Sequence, residues 1–318
     1  MRRRALLVAP LLAAAPTRAQ DFPARPVTLV IPYPPGGGTD TIGRAVAAVL
    51  ERQLGQPVVV ENRGGGATSI GSTYVAQARP DGYTLLLGAN SLAINPALQP
   101  SLTPRDPQRE LAPIGTVYRS ALLLLVHPAV PARDLPEFLD HARAHPGALN
   151  YGSSGNGSAN HLIFALLAQR AGLSMEHVPY RGAAPALLDL RAGRIQALFN
   201  SALLAQPMMR EGAIRALATS SKDRSAALPD IPAVAETLPG FDAVFWQGLF
   251  APTGTPPAVI ATLSAALTAA LADPGLRARV ALEGGEITPG TPADLAALLA
   301  EETATWGALI RTANLRAD

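Results

Sequence analysis

The sequence predicts an α/β protein with two lobes, each built on a doubly wound and mainly parallel sheet. Its 318 residues are enough for about two domains, and 48% of them are hydrophobic, which is sufficient for a core. Short apolar runs alternate with segments in which apolar residues recur at helical spacing. This alternation occurs once within residues 27–87 and begins again at residue 122, which indicates two α/β units.

Composition excludes several classes of function. The chain contains no cysteine, so it has no disulfide, no thiolate metal site and no cysteine nucleophile. The formal net charge of +2 includes four arginines within residues 1–19, and without that acid-free segment it is −2. A nearly neutral body offers no electrostatic basis for binding nucleic acid, so we expect no nucleic-acid partner.

Residues 1–19 are predicted to be a cleavable signal peptide that exports the protein to the periplasm. Arg2 to Arg4 form a positive segment, and the apolar run from Ala5 to Ala15 is too short to span a bilayer. Small residues precede a cleavage site before Gln20. The arginines fit both an ordinary secretory signal and a twin-arginine signal, so the export route stays open.

The elements of the first lobe follow from apolar patterns and turn residues. The first strand is an unbroken apolar run, and the first helix has apolar residues at helical spacing up to a glycine, Gly55, that ends it. The predicted elements are the strand Val27–Ile31, a helix over 42–54, the strand Pro57–Val60, the helix Ser69–Ala78 and the strand Tyr83–Leu87.

The same pattern continues through the rest of the chain. The predicted strands are Leu122–Val126, Leu149–Gly152, Met175–Val178, Ile195–Phe199 and Ile214–Ala218. The predicted helices are Leu135–Ala144, Ala159–Ala171, Ala183–Ala192, Pro257–Leu271 and Pro292–Thr312.

The order of these elements predicts how the lobes divide the chain. The first lobe takes residues 20–120, the second lobe 121–246, and residues 247–318 return to complete the first. The chain then crosses between lobes near 119–121 and near 245–248, which makes a hinge beside a cleft. Ligands of open α/β sheets bind beyond the carboxyl ends of the strands, so the strand-to-helix turns are the candidate site.

Three glycine-rich turns precede helices and leave their backbone N–H groups uncovered. An anion is the natural ligand of such a turn, because the N–H groups and the helix dipole both favour negative charge. The alternatives are a tight turn without a ligand and a plain helix cap. The candidate ligand-binding residues are Gly36, Gly37, Gly38, Thr39 and Asp40 in the first turn, Ser69 in the second, and Gly155, Asn156, Gly157, Ser158 and His161 in the third.

Other readings of these turns fail on spacing. A dinucleotide-binding turn needs glycine where Thr41 stands, and no Gly-Lys pair follows to make a P-loop. A nucleophile elbow around Ser154 needs glycine at Asn156, so we predict no catalytic residue. We also predict no metal and no cofactor. The acids Asp134, Glu137, Asp189, Glu301 and Glu302 are predicted to lie on helix surfaces.

Further candidates stand at other predicted strand ends and at the second crossing. Gly182 and Ala183 begin a helix and offer N–H donors, and Asn200 follows a buried strand. Trp246 lies near the second crossing, where it is either a wall of the cleft or part of the hinge core.

These segments, in this order, resemble the Bug family, the receptors of tripartite tricarboxylate transporters in bacteria. The matching stretches cover nearly the whole chain after the signal peptide. They are Arg25–Asp40, Leu54–Arg63, Pro80–Leu87, Leu92–Leu98, Leu149–Ser158 with His161, His177–Gly182, Ala226–Glu236 and Leu249–Pro256.

The resemblance implies a two-lobe periplasmic binding protein that closes on a small carboxylate and delivers it to membrane permease subunits. It also implies that the two main ligand loops are Gly36–Asp40 and Gly155–Ser158. We expect the protein to act as a monomer. The chain has Asn200-Ser201 where the family often has Asp-Asn, so a ligand amine would lose an acidic partner there. The alternatives are an extracytoplasmic hydrolase or isomerase that uses the 152–161 turn, and a solute sensor for a membrane kinase.

Overall fold

Two β-sheets form the framework of the protein in a computed structural model that describes residues 22–225 and 228–316. The predicted signal peptide and its cleavage site lie outside these residues. The first part of the chain forms β1 (Val27–Ile31), α1 (Gly38–Leu54), β2 (Val58–Asn62), α2 (Ser69–Ala76), β3 (Thr84–Ala89), α3 (Ser91–Leu98), α4 (Pro107–Glu110) and β4 (Leu111–Ser120).

The middle part forms a second set of strands and helices. These are β5 (Leu123–Val126), α5 (Leu135–Ala144), β6 (Asn150–Ser153), α6 (Ala159–Ala171), β7 (Glu176–Pro179), α7 (Ala183–Arg191), β8 (Ala197–Asn200), α8 (Ala202–Arg210), β9 (Arg215–Thr219) and α9 (Val234–Thr237). The last part forms β10 (Phe245–Pro252), α10 (Pro257–Ala270), α11 (Pro274–Leu282), β11 (Gly285–Ile287) and α12 (Pro292–Thr312).

The strands divide into one sheet of six and one of five. The six-stranded sheet has the order β11-β4-β10-β3-β1-β2, and the five-stranded sheet has the order β7-β6-β8-β5-β9. In the first sheet β1 to β4 share one direction, and β10 and β11 oppose it. In the second sheet only β5 runs against the others. Both sheets are therefore mixed: most strands of each share one direction, but β10 and β11 in the first sheet and β5 in the second pair antiparallel with their neighbours, so the prediction of mainly parallel sheets is only partly met. We call each sheet with its helices a lobe.

The last part of the chain packs on the first lobe. Helix α10 contacts α1, and α12 contacts α3 and β4, while β10 lies between β3 and β4. The predicted helices 257–271 and 292–312 agree with α10 and α12 to within one residue. Sequence analysis missed β4 and β10. Pro113 and Gly115 weaken the strand pattern of β4, and the start of β10 falls within the predicted second crossing between the lobes.

Two connections join the lobes side by side. The first is Ala121 and Leu122, between β4 and β5, and the second is the segment 220–244, between β9 and β10. Buried Ser220 links them: its Oγ accepts a hydrogen bond from Leu122 N (2.9 Å), and its carbonyl accepts one from Ala243 N (2.9 Å). Ser220 thus holds the two connections next to each other.

Helix α1 shows how the local sequence fixes the elements around the site. Its buried residues Ile42, Val46 and Leu50 pack with Leu29 of β1 in one apolar cluster. Gly55 ends the helix in the left-handed conformation, with φ of 66°, as the sequence predicts. Among the described residues no single helix is long and apolar enough to cross a bilayer. Together, α10 and α11 have the length and composition of a membrane-spanning segment, but the pair is bent by 75°.

A half-buried carboxylate ties α12 to the first sheet. Glu302 accepts hydrogen bonds from Trp246 Nε1 (3.1 Å), Trp306 Nε1 (2.6 Å) and Asn90 Nδ2 (3.0 Å). Burial raises the pKa of Glu302, and these three donors partly offset that effect. The prediction that Glu302 lies on a helix surface is therefore wrong, because two of the side chains that it contacts, Asn90 and Trp246, come from the β3–α3 junction and β10, far away in the sequence.

Candidate functional site

Two adjoining cavities, which share part of their lining, lie between the lobes at the carboxyl ends of the strands, and we call the one beside the connections between the lobes the inner cavity and the other the outer cavity. The inner cavity has a volume of about 130 Å³ and the outer cavity about 590 Å³. A single water needs about 10–15 Å³ by the same measure, so the inner cavity can hold a small organic acid. Both cavities are lined by the turn after β1 in the first lobe and the turn after β6 in the second.

Four helices begin at the inner cavity without a side-chain cap. The residues that precede them, Gly37, Ser158, Gly182 and Ser201, all line the cavity, and none makes a side-chain capping hydrogen bond. In α1 the first N–H group bonded within the helix is that of Thr41, which donates to Gly37 O (3.0 Å). The N–H groups that come before it have no acceptor within the helix.

This arrangement supplies backbone donors to a bound anion. Side chains cap α5, α11 and α12 elsewhere in the protein, through Asp134, Asp273 and Thr291. At the inner cavity the helix N-termini of both lobes converge, and their dipoles favour negative charge there. The site can therefore hold a carboxylate without a dedicated cation.

In the first turn, Gly37, Gly38 and Thr39 line the inner cavity, whereas Gly36 and Asp40 do not. Buried Asp40 accepts hydrogen bonds from Gly36 N (3.0 Å), Arg44 Nε (3.1 Å) and Asn62 Nδ2 (2.8 Å). Burial acts to raise the pKa of Asp40, but these hydrogen bonds outweigh it and the net pKa is lowered. Asp40 thus holds the shape of the turn.

In the second turn, Ser69 lines neither of the two cavities. Its Oγ donates a hydrogen bond to Thr103 O (2.5 Å), and the preceding residue, Thr68, lines the outer cavity instead. Thr68 adopts a left-handed conformation with φ of 76°, which redirects the chain as α2 begins. The prediction that Ser69 faces the cleft does not match this placement.

In the third turn, Gly155, Asn156 and Ser158 line the outer cavity, and Ser158 lines the inner one as well. Ser158 Oγ donates to Gly155 O (2.5 Å). Gly157 lines neither cavity and faces the first lobe, where a Cβ at this position would overlap Asn95 Oδ1. Its role is in the contact between the lobes rather than in contact with a ligand.

His161 supports the third turn from behind. It is buried, its Nδ1 accepts a hydrogen bond from Gly157 N (3.3 Å), and its ring stacks on His177 at 3.9 Å. Burial, with a smaller contribution from His177, lowers the pKa of His161 to about 3, so the ring is neutral. It does not line a cavity and has no aligned serine, which argues against a Ser–His nucleophile here.

The remaining candidates divide into cavity residues and core residues. Gly182 lines both cavities, and Ala183 and Asn200 line the inner one. Trp246 is fully buried and donates its indole N–H to Glu302, so it belongs to the core of the first lobe. Within the residues that the structure describes, no group of three or more His, Asp or Glu could hold a metal ion.

Several cavity residues were missed by sequence reasoning. Ser154 lines both cavities and donates to Asn160 Oδ1 (2.9 Å) within the third turn. Tyr118 and Phe245 form an aromatic wall, with ring centroids 6.1 Å apart. Their position beside the hinge could not be predicted, because the sequence pattern does not identify β4 and β10 as strands.

Glu283 is the most consequential of the missed residues. It follows α11, lines the inner cavity and is 1% exposed. Burial raises its pKa to about 7, and the neighbouring Ser201 hydroxyl opposes that shift. Nothing in the local sequence distinguishes it from a surface glutamate at a helix end.

The raised pKa of Glu283 predicts a pH dependence of stability. The pKa is about 7 in the folded protein against an ordinary 4.5, so between these values the folded state binds more protons than the unfolded state. The free energy of unfolding therefore falls as the pH rises through about 7. Buried His161 has the opposite effect on the free energy of unfolding, but only below its ordinary pKa of 6.5.

We therefore expect the Tm of the wild type to fall relative to that of Glu283→Gln as the pH rises from about 5 to 7.5, with little further change above, because His161 affects both proteins alike. The control is Glu286→Gln, which neutralises a neighbouring exposed carboxylate. Thermal unfolding measured across this range checks the prediction. Parallel profiles for the wild type and Glu283→Gln would refute it.

The chain is similar over most of its length to proteins of one family. A sequence profile described as "Tripartite tricarboxylate transporter family receptor" matches residues 42–315. BugT of Bordetella pertussis is 35% identical over 94% of this chain and 92% of its own length.

Solved structures are similar over almost the full described length. MatC from Rhodopseudomonas palustris with bound malate has a TM-score of 0.85 and 35% identity, covering 91% of this chain and 100% of that chain. Another R. palustris protein, solved with adipate, has a TM-score of 0.88 and 32% identity, covering 93% of this chain and 99% of that chain. These similarities confirm the two-lobe periplasmic binding protein fold.

Proposed function

Because the chain belongs to the tripartite tricarboxylate transporter receptor family, we propose that it captures a small carboxylate between its lobes and delivers it to the permease subunits of such a transporter. The resemblance to the Bug family is confirmed, and the similar solved structures are solute-binding receptors rather than enzymes. We further propose that it acts as a monomer and needs no cofactor.

The observation that carries the proposal is the convergence of four uncapped helix N-termini on one cavity. A carboxylate oxygen can accept hydrogen bonds from several of these N–H groups at once, and charge-assisted hydrogen bonds of this kind contribute roughly 1.5–3 kcal/mol each. The similar structures that hold malate and adipate support a carboxylate as the ligand class. Arg181 is the only cation among the described lining residues, and it is exposed.

Thermal unfolding in the presence of ligands tests the proposal. We expect mono- and dicarboxylates of three to six carbons to include at least one that raises the Tm, while the matching carboxamides do not. A ligand at about 100 times its Kd stabilises the folded state by about 2.7 kcal/mol. Arg181→Ala should retain most of this effect if the backbone N–H groups hold the anion. If acids and amides raise the Tm equally, or if no acid raises the Tm, the protein is not a carboxylate receptor.

Receptors of this family are periplasmic. We propose that residues 1–19 export this chain and are removed. The intact mass of protein from a periplasmic extract should then correspond to a chain that begins at Gln20 or within one or two residues of it. Accumulation of the uncut chain in the cytoplasm would show that the segment is not a signal peptide.

A further inference from the structure

One wall of the inner cavity carries polar atoms that no protein group satisfies within the described part of the chain. Glu283 Oε1 and Asn200 Nδ2 are buried and have no hydrogen-bond partner among the described residues. Buried polar atoms are nearly always paired, and those that are not usually mark a place that a ligand or water fills. The two residues come from different lobes, and both line the same cavity.

The surrounding structure fixes how these groups are presented. Asn200 Oδ1 accepts a hydrogen bond from Ser201 N (2.8 Å), which leaves the Nδ2 donor free. Ser120 Oγ donates to the main-chain carbonyl of Glu283 (3.0 Å) and anchors the end of α11. Gly38 leaves room for the Glu283 carboxyl, since a Cβ there would lie 3.1 Å from Oε2 and overlap Oε1.

The charges around Glu283 determine what it can bind. No salt bridge joins it to a cation within the described part of the chain. The titratable groups that share its cavity are Tyr33, Tyr118 and Arg181. Burial raises the pKa of both tyrosines, so they stay neutral. An ionised Glu283 would repel a ligand carboxylate beside it and attract a hydrogen-bond donor.

We propose that Glu283, Asn200 and Ser201 form a polar subsite for a hydroxyl or ammonium group of the ligand. This inference rests on the proposed function and narrows the ligand class to carboxylates that bear such a donor. The donor group binds to Glu283, and Asn200 Nδ2 donates to the oxygen of a hydroxyl ligand. The ligand carboxylate binds at the helix N-termini farther from Glu283.

Calorimetry with matched acids tests the subsite. The probes are acids of three, four and five carbons in three forms: unsubstituted, 2-hydroxy and 2-amino, such as succinate, malate and aspartate. At about pH 8, above the pKa of Glu283, we expect at least one hydroxy or amino acid to bind at least tenfold more tightly than its unsubstituted parent. Glu283→Gln should remove most of that preference, while Glu286→Gln retains it.

The outcomes separate this inference from the proposed function. If no carboxylate binds the wild type, the proposed function fails. If carboxylates bind but the parents bind as tightly as their substituted forms, or Glu283→Gln keeps the full preference, the subsite is wrong. A measurement without any variant gives a second test. The preference of the wild type for amino acids should decline between about pH 8 and 6.5 as Glu283 takes up a proton, and a constant preference would overturn the assignment.

Discussion

Replacing Gly157 with alanine is expected to weaken carboxylate binding by at least tenfold while leaving a folded protein. Gly157 has φ of 75°, a conformation that costs a residue with a side chain roughly 1–2 kcal/mol. Its added Cβ would also overlap Asn95 Oδ1 and lie 3.2 Å from Gln99 Nε2, and both of these belong to the first lobe. The overlap exists only when the lobes meet, so the substitution disfavours the closed state that encloses the ligand.

The matched control for this variant is Gly147→Ala. Gly147 also has φ of 75°, but a Cβ there meets no atom within 4 Å. It should therefore lose a similar amount of stability without losing affinity. The affinity of both variants is measured by calorimetry, with the carboxylate that stabilises the wild type most. If Gly147→Ala loses as much affinity as Gly157→Ala, general strain explains the effect and the contact between lobes does not.

The largest expected loss of stability comes from Glu302→Ala. The substitution leaves three donors without their acceptor: the indole N–H groups of Trp246 and Trp306, and the one N–H of the Asn90 amide that does not donate to Val244 O. Each buried donor left unpaired costs about 1–3 kcal/mol, so the sum is on the order of 3–5 kcal/mol. At about 2–4 °C per kcal/mol, the Tm should fall by roughly 10 °C.

Glu301→Ala is the control, because Glu301 is the preceding residue of α12 and is exposed. Its Tm should stay close to that of the wild type. The intermediate variant Glu302→Gln keeps one acceptor oxygen and should lose less than alanine. Equal Tm values for Glu301→Ala and Glu302→Ala would show that the buried network contributes little to stability.

The parts of the fold that depend on local sequence were predictable. The run Val27–Ile31 is strand β1, and the glycine-rich turn after it leads into α1, which ends at Gly55. Each of these elements follows from hydrophobic spacing and turn residues within a few positions. The order of the strands and helices also predicted that the glycine-rich turns lie beyond the carboxyl ends of the strands.

The parts that depend on distant contacts were not predictable. Trp246 was a candidate for the cleft, but its environment is set by Asn90 and Glu302, which lie far from it in the sequence. Glu283 enters the inner cavity because the last part of the chain returns to the first lobe. A glutamate at the end of a helix carries no local signal of burial, since its surroundings come from other elements.

The most direct test of the account concerns the backbone N–H groups at the inner cavity. In NMR spectra of the ¹⁵N-labelled protein, a saturating carboxylate should shift the amide signals of Ala159 and Ala183 downfield, because these groups begin α6 and α7, away from Glu283, and would donate to the anion. The largest shifts should fall at these residues. Unchanged amide signals there, with a large shift of the Arg181 guanidinium signal, would show that an arginine and not the helix N-termini holds the ligand.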